Sequence, residues 1–240
     1  MYDTPYFFRI QFLLIVRLVN YILMNNIVFV HSLSHNTGDD DAQVYSYMNT
    51  WNCNNFGSRL DIVAAEAACA TGAVAQTVGA IGLVQSAAKD QNMNLSAGEV
   101  YQLLIQTVTD VNLTEDERST SKAYPSHEGW DAFYGYGRLH VGRAVERVVN
   151  QDIPPSISVN EPEWFQTFDP SQQDSVSINV QSTSRTSEIN WRMEYGLGSD
   201  PQEWIDLASG EDSATVGEKM DFSAELQLSD IPPVVVEEAK

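Results

Sequence analysis

His127, Glu128 and Asp131 place an imidazole and two carboxyls within five residues. Such a trio can move protons between a base and an acid, or share a metal ion. The segment around it, Tyr124-Pro125-Ser126-His127-Glu128-Gly129-Trp130-Asp131, is rich in turn formers and aromatics. A packed aromatic loop with surface charges is the preferred reading. Asp39-Asp40-Asp41 could offer calcium its oxygen ligands, but lacks the alternate spacing of an EF-hand loop. A solvated acidic loop fits better. Cys53 and Cys69 stand sixteen apart, with no histidine at zinc-ligand spacing. They could bridge in an oxidising compartment or remain two buried thiols. Gly135 and Gly137 form a G-x-G without the third glycine or the preceding strand of a phosphate cradle. No cofactor and no metal is therefore expected.

These residues need elements to hold them. From Leu60-Asp61-Ile62-Val63-Ala64, a short apolar run reads as a strand. From about Ala67 to Ala88, small and branched apolar residues predict a buried central helix. Val74, Val78, Ile81 and Ala88 form one face, and alanines and glycines fill the rest. Gly79 and Gly82 each cost about 1 kcal/mol against alanine, which close packing could offset. Ser96 and Glu99 have capping-box spacing, with Val100, Leu103, Leu104 and Thr107 on one helical face behind them. A third helix is expected over 138–149, with Val141, Ala144, Val145 and Val148 inward. The two glycines before it permit a tight turn.

The central stretch also resembles a known family. A turn, Asn54-Asn55-Phe56-Gly57, precedes Leu60-Asp61-Ile62-Val63-Ala64, and Val78-Gly79-Ala80-Ile81-Gly82-Leu83 follows. This is similar to the S-x-x-G, L-D-V-x-A-P and V-A-G-x-x-A-L series of subtilisin-like serine proteases (peptidase S8). Tyr134-Gly135-Tyr136-Gly137-Arg138-Leu139-His140-Val141, followed by Ala144-Val145, resembles the closing Y-G-x-G-x-[LI]-[ND]-[VA]-x-x-A-[VA] of that family. The resemblance covers roughly residues 26 to 149. It implies the C-terminal portion of a parallel-sheet α/β domain around a buried helix. It also implies proteolysis of a protein or peptide substrate. Counting back from the helix, the nucleophile position falls on Thr71, and the family's proline and histidine fall on Ala75 and Gln76. The family's catalytic aspartate, catalytic histidine and oxyanion asparagine would lie upstream of this region. Hydrolysis needs all of these roles filled. The chain therefore resembles a fragment or degenerate copy, and a non-catalytic binding or structural protein is the alternative. For Thr71 to act alone it would need a base, and nothing ties His31, His35, His127 or His140 to it. A partner chain covering the truncated domain is a further expectation.

Residues 6–30 are strongly apolar, but Arg17, Asn20, Asn25 and Asn26 interrupt them. A membrane segment is one reading, and arginine at its centre costs about 2.5–3.5 kcal/mol. A core strand over 27–33 is preferred. Residues 1–25 then belong to no domain, and read as an apolar anchor or as a start set within a longer frame. Beyond Pro154-Pro155, read as a linker, helical period gives way to alternation: Val176, Ile178, Val180; Ile189, Trp191, Met193, Tyr195; Phe222, Ala224, Leu226, Leu228. A small antiparallel β-sandwich over 153–233 is predicted after a partial protease-like domain over 26–150. Trp164, Phe165, Trp191 and Trp204 could make a carbohydrate-stacking face, although core packing is preferred. With 13 basic against 33 acidic residues, the net charge is −20. That excludes phosphate neutralisation, so no nucleic acid partner is expected. The acid excess suits an extracellular or secreted protein, with a membrane-anchored one as alternative.

Overall fold

The structure is a computed structural model. It describes residues 8–11, 30–33, 56–65, 71–116, 124–163, 166–198, 200–213 and 215–231. The Cys53 and Cys69 pair, the Asp39 to Asp41 run, His35, Trp164 and Phe165 lie outside these residues, as does most of 6–30. No described helix is long and apolar enough to cross a membrane.

The fold mixes helices with mostly antiparallel strands. In chain order these are β1 (Phe8–Gln11), β2 (Val30–Leu33), β3 (Ile62–Ala65), α1 (Thr71–Asp90), α2 (Ala97–Gln106), α3 (Val141–Val149), β4 (Ser156–Glu161), β5 (Ser175–Thr183), β6 (Glu188–Gly196), β7 (Ile205–Ser213) and β8 (Lys219–Gln227). Strand β2 realises four of the residues expected over 27–33. It pairs in parallel with β3, Val30 opposite Ile62 and Leu33 opposite Ala65. Among the described residues this parallel ladder has two strands, and Arg138 adds a single parallel bridge to Val63. Ile62, Val63 and Ala64 are buried, as apolar residues of an inner strand must be.

Helix α2 forms as its sequence dictates. The Ser96 side chain accepts from the Glu99 N–H, and the Glu99 carboxylate accepts from the Ser96 N–H at 2.7 Å. Val100, Leu103, Leu104 and Thr107 are all buried. Val84 and Ala88 of α1 meet Val100, Leu103 and Leu104 of α2 and Ala144 and Val148 of α3 in one apolar core. Ile153 joins it, and Pro154 and Pro155, read as a linker, are buried as well.

The expectation that α1 is buried all round is corrected. Its inner face is Ala73, Thr77, Ala80, Val84 and Ala88, at helical spacing. Val74, Val78 and Leu83 are 49%, 61% and 58% exposed. A methyl group built on Gly79 or Gly82 would meet nothing within 4 Å. The cause is geometric. β2, β3, α2 and α3 lie against one side of the helix, and no described element covers the other.

The second half of the chain forms two three-stranded sheets, ordered β4-β5-β8 and β1-β6-β7. Register sets Val176 opposite Leu226, Ile178 opposite Ala224 and Val180 opposite Phe222. Period two sends these side chains to one face, where Met193 and Tyr195 of β6 join them in a shared core. One pairing was not foreseen. Phe8–Gln11, in the segment assigned to no domain, lies parallel along Met193–Gly196 of β6. The two halves are clasped by Arg185, whose guanidinium grips both Glu99 carboxylate oxygens and the Asn94 carbonyl. Burial alone would raise Glu99. Arg185 and the Ser96 N–H outweigh it and hold the carboxyl below its usual range.

Candidate functional site

Two places have the residue types that chemistry requires. The first is the junction of β3 with α1. Thr71 is the first residue of α1. The Gln76 side-chain amide, one turn further, donates to the Ala65 carbonyl and ties the helix back to the end of β3. On the other side of β3, the Val63 N–H donates to the Gly137 carbonyl at 3.0 Å, and the Leu139 N–H donates to the Val63 carbonyl at 2.8 Å. Arg138 exchanges both backbone bonds with Thr109, at 2.7 and 2.8 Å. The 135–139 stretch is thus threaded between two backbones. This explains its glycines. A Cβ on Gly135 would lie 2.3 Å from the Asp61 carbonyl oxygen, and one on Gly137 would lie 2.4 Å from that of Thr109. Ala65, Gln76, Gly79, Leu83 and Arg138 line a shallow cleft of about 390 Å³ beside this junction. The Arg138 side chain makes no hydrogen bond or ion pair among the described residues.

Neither histidine whose side chain is described serves this junction. His140 Nδ1 accepts from the Arg143 N–H at 3.1 Å and caps α3. His127 is engaged at both nitrogens, by the Glu128 carbonyl at 3.3 Å and Asp200 at 3.2 Å. Tyr101 donates to Asp61 at 2.7 Å, and burial first, then that carboxylate, pushes its phenol well up.

The second place is the 124–137 loop. Trp130 anchors it, its indole N–H donating to the Leu60 carbonyl at 2.8 Å. The backbone then turns sharply, because Asp131 Oδ1 accepts from the N–H groups of Phe133 and Tyr134 at 2.8 and 2.7 Å. This turn carries the Asp131 side chain inside, where the residue is 0% exposed and Oδ2 has no hydrogen-bond partner among the described residues. Asp200, from the loop between β6 and β7, accepts from the Ala132 N–H at 2.9 Å through the same oxygen that meets His127. Asp110 holds the other flank, accepting from the Gly129 N–H at 2.9 Å.

Burial pushes the Asp131 carboxyl up to about 7, against the pull of its two N–H donors and of His127, and Asp200 adds to the rise. Asp110 is raised too, by burial first and by Glu128 in addition. No three histidine, cysteine or acidic side chains among the described residues converge to hold a metal ion. His127 and Asp131 are therefore brought into one electrostatic cluster, while Glu128 faces Asp110 instead. Asp200, which completes the cluster, carries no sequence signal of this role.

The remaining aromatic candidates are structural. Trp191 packs tilted against Phe222 with ring centroids 5.0 Å apart, and its N–H donates to Asp212 at 2.7 Å. Trp204 lies over Gly196. No family model, no curated protein and no solved structure matches this chain.

Proposed function

We propose that the chain is a non-catalytic protein on a subtilisin-like scaffold, acting by binding a partner chain rather than by hydrolysis. In this reading residues 26–150 are the C-terminal portion of a parallel-sheet domain, and 153–233 are an accessory β-sandwich. The observation that carries it is the commitment of both described imidazoles. His127 and His140 are held elsewhere, so Thr71, opening α1, has no described base. The exposed Val74 and Val78, one turn apart, and Leu83 on the opposite flank of the helix support the binding part, because exposed apolar surface marks interaction sites. The acid excess suits a secreted setting.

The second reading is a serine-type endopeptidase whose activity lies in a fuller form of the protein. The passage from β3 into α1 at Thr71, with the 135–139 stretch laid beside Val63, favours it as a lineage. One experiment separates chemistry from binding. Purified chain is incubated with casein and, separately, with a fluorophosphonate probe, with T71A as control. Neither cleavage nor an adduct is expected. A probe adduct on Thr71, lost in T71A, overturns the non-catalytic reading.

A further inference from the structure

We propose that the contact between the 124–137 loop and the Asp200 loop is a proton-controlled latch, closed most tightly when Asp131 is protonated and loosened when it ionises. Asp200 reaches across from the β-sheet half to bond the Ala132 N–H, the residue next to Asp131. The Asp131 carboxyl is buried next to that contact, with one oxygen unpartnered among the described residues. A neutral carboxyl tolerates this position. An ionised one leaves a buried charge half-satisfied, and a like charge across the junction repels it. Opening the junction admits water to Asp131 and separates it from Asp200, so ionisation favours the open form.

The charged neighbours are accounted for by element. On its own loop Asp131 faces His127. From the β6–β7 loop it faces Asp200, the one like charge that opening removes. Glu128 on the same loop acts on Asp110 of the segment after α2, which His127 also faces. The His127 ring itself bridges the junction, with Nε2 3.2 Å from Asp200.

The sign follows from linkage. The closed form holds its Asp131 proton up to about 7. An open, hydrated carboxyl gives up its proton near pH 3.9. Between these limits the closed form binds more protons, so its advantage falls as pH rises, and above about pH 7 it levels off. The opening constant rises up to about tenfold per pH unit across that window.

The test is hydrogen exchange at the Ala132 amide in the full chain, corrected for the intrinsic pH dependence of exchange. From pH 5 to pH 7, wild type should lose protection by up to about a hundredfold, while D131N, which keeps the His127–Asp200 contact, should lose clearly less. The side-chain amide in D131N keeps an oxygen for the Phe133 and Tyr134 N–H groups. If wild type and D131N share one slope, the latch is overturned. Should D131N fail to fold, carbon-13 titration of Asp131 in wild type decides. A midpoint near 7 supports the latch, and a midpoint in the ordinary carboxylate range overturns it.

Discussion

Replacing Gly79 or Gly82 by alanine tests the uncovered face of α1 directly. Both lie inside a 20-residue helix, where glycine costs about 1 kcal/mol against alanine because it has more backbone freedom to lose. The sequence alone suggests that close packing requires them. The structure says otherwise, since a methyl group at either position meets nothing within 4 Å. The alanine then removes unfolded-state freedom at no steric cost. Each single variant should gain about 0.5–1 kcal/mol, and the pair about 1–2 kcal/mol. For a chain of this size each kcal/mol is worth roughly 2–4 °C in Tm. Urea unfolding followed by circular dichroism gives the free energy, provided m is unchanged. Destabilisation by either alanine would refute the reasoning. It would mean that a closely packed element covers this face in solution, and that the glycines are there to let it approach.

Two further substitutions probe the junctions. G135A places a Cβ 2.3 Å from the Asp61 carbonyl oxygen in a residue at φ +61°, so a loss of at least about 2 kcal/mol is expected in the urea midpoint. A loss under about 0.5 kcal/mol would show that the 135–139 stretch can shift away from Asp61. R185A removes the clasp on Glu99 and should cost about 1–2 kcal/mol at neutral pH, discounted because the guanidinium is partly exposed. Arg185 depresses the Glu99 carboxyl, so this contribution is present above the ordinary carboxylate range and is lost as pH falls through the depressed value. An R185A penalty that does not shrink in acid would place its origin in the Asn94 contact.

Much of the fold could be read where the signal is local. Helix α2 carries its cap, its box partner and its buried face within twelve consecutive residues, Ser96 to Thr107, and all of them appear as read. The alternating strands were equally plain, because burial on one face imposes period two on Val176, Ile178 and Val180. Helix α1 shows why composition can mislead. Its residues are small and apolar all round, so Val74 and Val78 looked as suited to the core as Ala73 and Thr77, and only the placement of α2 and α3 chose between them. Pro154-Pro155 reads as a linker, yet both prolines are buried, and Ile153 before them is claimed by the helical core. β1 escaped notice because a four-residue strand gains its identity from β6, some 185 residues away.

The Asp131 cluster was out of reach for a related reason. An aspartate in a loop of turn formers reads as solvated charge, since aspartate is almost never fully buried. What takes it inside is a turn closed by its own carboxylate on the Phe133 and Tyr134 N–H groups, which leaves the second oxygen pointing inward. Beside it stands Asp200, 69 positions later in the loop between β6 and β7, which binds the neighbouring backbone. Neither residue is unusual alone. The raised proton affinity comes first from the burial that this turn imposes on Asp131, and the approach of Asp200 from the other half adds to it.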